Sequence, residues 1–413
     1  MTIPMITNPT LITSENVNDV SKDLPFVARV AVKAMIGLKY GTLTIQWPNG
    51  SASQIVGQNA GVNAVIELNS YDLATRVIKR GDVGVGESYM DEQWDSPDVT
   101  AVLKLFCDNT HMMIARKRNL FSSFLLKLLS WRNENTHKGS KRNIAAHYDL
   151  GNNFYKQWLD PSMTYSSAIY KDRQMSLQDA QNEKYANLVR QTGISADDHV
   201  LEIGCGWGGF AEFAAREVGC KVKALTISQE QFDFAKERIF KAGLNDKVDI
   251  VFQDYRDEAG TYDRIASIEM FEAVGEKYWP TYFETLSKCL KPEGTAGLQI
   301  ITIQEKLFES YRKKTDFIQR YIFPGGMLPT PTILKDLAQK SGMNFSKEDI
   351  FGHDYADTLV DWRKSFQAAW PNIQPMGFDQ RFKRMWEFYM HYCEAGFRSE
   401  NIDVRQMVFK RSI

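Results

Sequence analysis

The sequence predicts an α/β protein: a doubly wound, Rossmann-like domain preceded by a smaller α+β domain. Three observations predict it. A chain of 413 residues is long enough for two hydrophobic cores. A short apolar run, Val200 to Ile203, meets four glycines within six residues and then helical spacing at Phe210, Ala211, Phe213, Ala214 and Ala215. Beyond that turn, apolar runs and helical patterns alternate, as in a parallel sheet covered on both faces.

Composition narrows the function classes. The 50 Lys and Arg balance 51 Asp and Glu, so wholesale nucleic-acid binding is not expected. The five cysteines are scattered and form no C-x-x-C pair, which points to reduced thiols and no zinc site. The N-terminus lacks a basic region followed by an apolar core, so no secretory signal is expected. No stretch approaches the roughly twenty apolar residues of a membrane span, so membrane contact would be peripheral.

In chain order, residues 1–20 are polar and read as a flexible N-terminus. Residues 21–115 read as the small α+β domain. Phe26, Val27, Val30, Ala31 and Ala34 mark a helix after Pro25. Residues 41–47 alternate into the turn Pro48-Asn49-Gly50, a strand and hairpin, and Ala64 to Leu68 is another strand. Leu73 to Ile78 and Val99 to Met113 read as helices. Gly81, Gly84 and Gly86 suggest a tight structural connection between them. Residues 116–142 form a basic amphipathic linker. Arg116, Lys117, Arg118, Lys127, Arg132, Lys138, Lys141 and Arg142 are set against Glu134 and interleaved with Leu120, Phe121, Phe124, Leu125, Leu128, Leu129 and Trp131. Such a segment suits an anionic membrane surface or an interdomain helix equally.

Residues 143–413 read as the second domain. After the glycine turn, strands are expected at 221–227, 248–253, 263–267 and 295–303. Helices are expected at 230–242, 278–290, 333–341, 355–369 and 379–395. The last is rich in aromatic residues, suited to a core or to an acyl-chain tunnel.

Strand, glycine turn and helix start make a nucleotide-type cofactor site, because glycine adopts positive φ and lets the backbone approach a ligand. Gly204, Gly206 and Gly209 fit the dinucleotide pattern, whereas Gly204, Gly206 and Gly208 fit that of S-adenosylmethionine (SAM). Two features favour SAM. Glu202 would repel a pyrophosphate but suits the amino group of a sulfonium ligand. The second strand ends in Thr226-Ile227-Ser228, with no acid to grip a ribose. Ligands in such sheets lie beyond the strands' carboxyl ends. That rule selects Thr226, Ser228 and Gln231 for ribose or carboxylate, although the same residues could simply cap a helix. It selects Asp254, Tyr255 and Arg256 for the adenine end. Glu269 and Glu272 follow the fourth strand, one to orient the cofactor and one to hold a reactive group. Gln299, in an otherwise apolar strand, needs a partner or a function. Methyl transfer to a double bond would create a carbocation, for which Tyr165, Phe271, Tyr321, Phe323 and Tyr355 offer aromatic faces.

Several stretches resemble the family of cyclopropane-fatty-acyl-phospholipid synthases and mycolic-acid methyltransferases. They are His147-Tyr148-Asp149-Leu150-Gly151-Asn152-Asn153-Phe154-Tyr155, Met163-Thr164-Tyr165-Ser166-Ser167-Ala168, Leu201 to Gly208, Glu269 to Gly275, Tyr321 to Pro329 and Phe351 to Leu359. The resemblance implies a cytoplasmic enzyme, peripheral at the inner face of the membrane. It would move the SAM methyl to the cis double bond of a phospholipid acyl chain and close a cyclopropane. Lipid C-methylation giving a branched chain, and methylation of a small molecule, are the alternatives. By carry-over, Tyr165, Ser166, Gly204, Thr226 and Gln231 bind the cofactor. Bicarbonate serves as base, held by Ser167, Glu272, Gln299, the backbone of Ile301, and Tyr355. Ser167 stands where many synthases have cysteine, Gln299 where some have histidine, and Ala273 replaces a common histidine. These departures bear on proton removal rather than on SAM. The assembly considered is a homodimer.

Overall fold

The computed structural model describes residues 8–110 and 150–412. The basic segment at 116–142, and the His147-Tyr148-Asp149 start of the first shared motif, lie outside them. The chain divides into two compact units. One combines the N-terminal region with Gly377–Asn401, and the other holds the remainder through Ile413.

In the first unit, strands β1 (Thr10–Leu11), β2 (Tyr40–Gln46), β3 (Ala52–Val56), β4 (Asn59–Leu68) and β5 (Trp94–Asp95) form a sheet of order β1-β3-β2-β4-β5. The expected hairpin is present. β2 pairs antiparallel with β3, and Gly50, at φ 83°, closes the turn by donating to the Trp47 carbonyl. Helix α1 (Phe26–Met35) starts after Pro25, and α2 (Asp72–Arg80) ends at Gly81. The stretch expected as a tight connection is instead a helix, α3 (Asp82–Met90). Its glycines serve packing, since a Cβ on Gly84 would strike the Arg76 carbonyl of α2. Helix α4 (Val99–Asp108) is capped by Asp98, which accepts from the Ala101 N–H at 2.9 Å.

The second unit carries β6 (His199–Ile203), β7 (Lys221–Thr226), β8 (Val248–Phe252), β9 (Tyr262–Ile268), β10 (Leu290–Ile303), β11 (Met343–Ile350) and β12 (Ile402–Arg411). Their order is β11-β12-β10-β9-β6-β7-β8. The pairs from β10 to β8 are parallel and both pairs of β12 antiparallel. Helices cover both faces. Alternate residues of the strands enter different layers: Leu201, Ile203, Leu298 and Ile300 pack with Phe283 and Leu286 of one helix. Val200, Val222, Ala224 and Ile250 pack with Phe210, Ala235 and Ile239 on the other side. The fold is therefore the expected Rossmann-like one. Sequence reading missed helix α5 (Leu177–Thr192), capped by Ser176 and ended by Gly193, as well as β11 and β12. In the glycine turn's wake come α6 (Gly209–Phe213) and α7 (Gln229–Lys241). Further on lie α8 (Trp279–Cys289), α9 (Pro331–Lys340) and α10 (Gly352–Ile373).

The domain boundary drawn at 143–413 needs correction at its far end. Helix α11 (Gln380–Arg398) packs within the first unit, not the second. The reason is a buried arginine. Arg384 donates to the Tyr89 carbonyl at 2.5 Å, the Trp94 carbonyl at 3.0 Å and the Asp95 carboxylate at 3.1 Å. Its guanidinium lies 3.8 Å from the Tyr89 ring centre. The ring of Phe388 meets both Tyr89 and Trp94, so this aromatic residue of α11 packs in the core of the first unit. Removing one partner of such a network leaves buried carbonyls unsatisfied. Arg384→Met is expected to destabilise the first unit by about 3 kcal/mol. Urea unfolding followed by Trp fluorescence measures it, and an unchanged midpoint would contradict it.

Candidate active site

The turn after β6 is built by three left-handed glycines: Gly204, Gly206 and Gly208 have φ of 82°, 52° and 82°. The N–H groups of Gly204 and Cys205 both donate to the Leu225 carbonyl, at 3.0 and 2.9 Å, and tie the turn to β7. A Cβ on Gly204 would stand 2.5 Å from Met270 Cγ, and one on Gly208 3.1 Å from Ala235 Cβ. At Gly206 no atom of the described residues lies within 4 Å. The backbone there faces open space, which is the cradle a closely approaching ligand needs.

Glu202, on the same face of β6 as Val200, is buried beneath this turn. The Ala211 N–H bonds its carboxylate, and Oε2 has no hydrogen-bond partner among the described residues. Burial pushes its pKa up to about 8, against the opposing pull of Arg238 and Lys184. An under-satisfied carboxyl beside an open glycine turn fits the amino group of SAM.

The other cofactor candidates follow neighbouring parallel strands at the same sheet edge. Thr226 Oγ1 donates to Gln231 Oε1 at 2.9 Å, and Ser228 caps α7 by accepting from the Gln231 N–H at 3.4 Å. These bonds are those of a helix cap. Asp254 Oδ1 accepts from Arg256 Nε at 2.9 Å and Oδ2 from Nη2 at 2.6 Å, while the Tyr255 ring packs edge-on against Tyr282.

At the ends of β9 and β10 lies a pair of half-buried glutamates. Glu269 stands at φ 50°, a left-handed conformation that costs a non-glycine residue about 1–2 kcal/mol. Its Oε1 accepts from the Ser167 N–H and from Gln299 Nε2, both at 2.8 Å. Its Oε2 accepts from the Tyr355 hydroxyl at 2.6 Å. Burial raises its pKa; Tyr355, Lys184, Ser167 and Gln299 oppose that rise. Glu272 Oε1 accepts from the Ile301 N–H at 2.5 Å, and Oε2 has no partner among the described residues. Burial first, and then the neighbouring Glu269, push the Glu272 pKa up to about 8. The Ser167 hydroxyl turns away to donate to the Ala168 carbonyl.

Of the five positions that the resemblance gives to bicarbonate, the four donors are thus already committed, and only Glu272 Oε2 has no partner among the described residues. The donors at Ser167, Gln299 and Tyr355 serve Glu269, and the Ile301 N–H serves Glu272. This donor set does not fit a separate anion.

Beside these carboxylates lies an aromatic cluster. The Tyr165 ring is 5.1 Å from Trp362, 5.5 Å from Tyr155, 5.6 Å from Trp158 and 6.4 Å from Phe323. Tyr355 meets Trp362 edge-on at 6.1 Å. One of the five expected aromatic faces is elsewhere: Phe271 packs in the core with Trp279, Tyr282 and Phe283; Tyr321 pairs with Phe317.

Sequence reading missed Lys184 and Gln406. Lys184 of α5 is wholly buried and donates to Ser166 Oγ at 2.6 Å; burial lowers its pKa to about 7. Gln406 of β12 donates to Gln299 Oε1 at 3.1 Å. The signal available for α5 was Ser176 followed by Asp179, with Gly193 at the far end.

The sequence profile of the family described as mycolic acid cyclopropane synthetase matches residues 135–407. The chain belongs to this family. It is 36% identical over 347 residues to tuberculostearic acid methyltransferase UfaA1 of Mycobacterium tuberculosis, covering 82% of this chain and 81% of that one. It is 37% identical over 372 residues to the cyclopropane-fatty-acyl-phospholipid synthase of Escherichia coli K12, covering 86% and 90%. Among solved structures, it is similar to the cyclopropane synthase MmaA2 of M. tuberculosis, with a TM-score of 0.62, 26% identity and coverage of 66% and 98%. The mycolic acid cyclopropane synthase CmaA1 complexed with SAH and CTAB gives a TM-score of 0.62 at 27% identity, again covering 66% and 98%. This protein is a SAM-dependent C-methyltransferase.

Proposed function

We propose that the protein transfers the methyl group of SAM to the cis double bond of an unsaturated phospholipid acyl chain and closes a cyclopropane. The observation that carries this is the juxtaposition at the strand ends: an open glycine cradle, a half-buried pair of glutamates and a cluster of aromatic rings. SAM, when bound, supplies an electrophilic methyl on a sulfonium. Gly206 lets the backbone approach it, and Glu202 is the group to receive its amino end. Tyr165, Ser166, Thr226, Ser228, Gln231, Asp254, Tyr255 and Arg256 complete that proposed site. Gly204 and Gly208 shape its floor.

An alkene carbon needs no base to attack a methyl sulfonium, so the enzyme's first task is alignment in a dry cavity. Its second is to tolerate the cation left on the adjacent carbon. Ring faces such as those of Tyr165 and Trp362 attract positive charge by about 0.5–2 kcal/mol each, more when desolvated. Water would quench the cation as an alcohol, so burial of the site is itself part of the chemistry.

The acyl substrate sits in a lipid surface. Among the described residues no helix is long and apolar enough to cross a membrane. The basic residues of 116–142 are the part of the sequence suited to anionic headgroups, each contributing about 1 kcal/mol near such a surface. Peripheral association with the inner face of the membrane, and a homodimeric assembly, belong to the same reading.

Mass spectrometry of phospholipids after incubation with purified protein and SAM tests the proposal. The expected product gains one CH2 per unsaturated chain and resists mild hydrogenation. A product that gains CH2 but still takes up hydrogen is a branched methylene chain. That outcome would replace ring closure with the alternative to which the relative named for tuberculostearic acid points. No mass gain on any lipid would sink the acyl-chain reading.

A further inference from the structure

We propose that Glu269 is the proton acceptor of this reaction, a carboxylate carried by the chain in place of a bound bicarbonate. The proposal rests on the methyl-transfer reading above and adds the identity of the base.

Three observations support it. The first is what surrounds the side chain. A carboxylate has about four lone-pair positions. Three of those on Glu269 are filled, two on Oε1 by Ser167 and Gln299 and one on Oε2 by Tyr355. The fourth, on Oε2, has no partner among the described residues. An acceptor held rigidly by three donors with one position open is the arrangement a general base requires.

The second is that the donors are aimed. Gln299 presents its amide nitrogen to Glu269 because its oxygen is taken by Gln406. Gln406 is fixed in turn, donating to the Lys184 carbonyl at 3.0 Å and accepting from Asn187 Nδ2 at 3.0 Å. Every member of this chain uses its amide in one sense, so the glutamine at 299 is oriented as a donor to a carboxylate.

The third is backbone placement. Glu269 is left-handed, and its N–H is bound to the Gln299 carbonyl at 2.8 Å. Its neighbour Met270 lies against Gly204 of the cofactor turn. The strained position thus holds the carboxylate next to the methyl donor's cradle.

The alkene π pair forms a bond to the methyl carbon, and the carbon–sulfur pair stays on sulfur. The adjacent alkene carbon is left cationic. Glu269 Oε2 takes one proton from the delivered methyl group. The freed C–H pair forms the third bond of the ring, and the proton leaves Glu269 for solvent before the next turnover.

The test uses the full-length enzyme, SAM, vesicles of unsaturated phospholipid, and CO2-free buffer with or without added bicarbonate. Wild-type turnover is expected to be unchanged, within about twofold, by bicarbonate. Glu269→Gln is expected to lose about 10²–10⁴-fold in turnover, the usual contribution of a general base. Glu269→Gly, which relaxes the left-handed backbone and empties the donor set, is expected to lose as much and to regain activity when bicarbonate is added. SAM affinity by calorimetry should stay within about threefold of wild type in both variants. Wild type that turns over only with bicarbonate overturns the assignment, and so does full activity in Glu269→Gln. SAM affinity lost with turnover would make Glu269 a cofactor ligand instead, and also overturns it. Wild type that makes no product under any condition overturns the methyl-transfer reading, and the base with it.

Discussion

A Gly206→Val protein is expected to keep the fold of the second unit and to bind SAM at least about a hundredfold more weakly, or about 2.7 kcal/mol. The two halves of this expectation have separate causes. At φ 52° a β-branched residue is strained, by about 1–2 kcal/mol, which the unit can absorb. Among the described residues no atom lies within 4 Å of the site a Cβ would occupy, so the new side chain meets no packed neighbour there. It instead fills the space above the turn, where the ligand's close approach is expected. Gly204→Ala is a different experiment. Its methyl would meet Met270 Cγ at 2.5 Å and push on the segment that begins at Glu269, so lost turnover there would mix binding with chemistry. Isothermal calorimetry together with thermal unfolding measures both halves for Gly206→Val. A dissociation constant within about threefold of wild type, in a folded protein, would remove the glycine turn from the cofactor site.

What the sequence made legible, and what it did not, follows from the range of the forces involved. The glycine turn and its flanking strand and helix are local, and local signals sufficed to place them. The same is true of the hairpin at Pro48–Gly50. Strand β12 was not legible because it lies between β10 and β11 and buries Gln406, Met407, Val408 and Phe409 in succession, without the alternation of a half-exposed strand. Helix α5 was missed for a chemical reason. Its inward positions include Gln181 and Lys184, polar residues buried to serve Ser166, and they interrupt the apolar stripe. The C-terminal helix was assigned to the wrong unit because Arg384 reads as a surface residue. Only the fold shows that it holds the Tyr89 and Trp94 carbonyls some 290 positions away.

The site was legible as a set of residues but not as a wiring scheme. Ser167, Glu269, Gln299 and Tyr355 were all singled out, and the structure brings them together on one carboxylate. Glu269 and Glu272 stand three apart and could be read as equivalent partners on one face. The backbone separates them: the first has three donors and the second has one. Of two adjacent acids, the one with more hydrogen-bond donors is the better able to hold a charge, and that charge raises the pKa of the other. Nothing in the spacing of two glutamates encodes that division.

SAM affinity is expected to rise steeply with pH up to about 8, and the cause is Glu202. In the ligand-free protein, burial holds its pKa near 8, so at neutral pH the carboxyl is largely protonated. Receiving the ligand's ammonium requires the charged form. Below that pKa, each unit of pH should therefore strengthen binding by up to about tenfold, or at most about fiftyfold from pH 6 to pH 8. The rise should end there, because an α-amino group itself loses its proton near pH 8. The stability of the ligand-free protein should show the opposite trend. A folded pKa raised above the ordinary 4.5 gives stability that is full below 4.5 and is lost as pH rises through about 8; Glu272 acts in the same sense. Lys184, lowered from 10.5 to about 7, acts in reverse: stability grows as pH rises between those values. Arg238 and Lys184 are the cations that oppose the shift on Glu202, and both are retained in Glu202→Gln. That variant should bind SAM weakly at pH 8 and show almost no slope between pH 6 and pH 8. Calorimetry in two buffers of different ionisation enthalpy reads the linkage directly, since wild type should release close to one proton on binding at pH 6.5. A wild-type affinity flat across that range, with no proton release, would mean that Glu202 supports the turn from below without meeting the ligand.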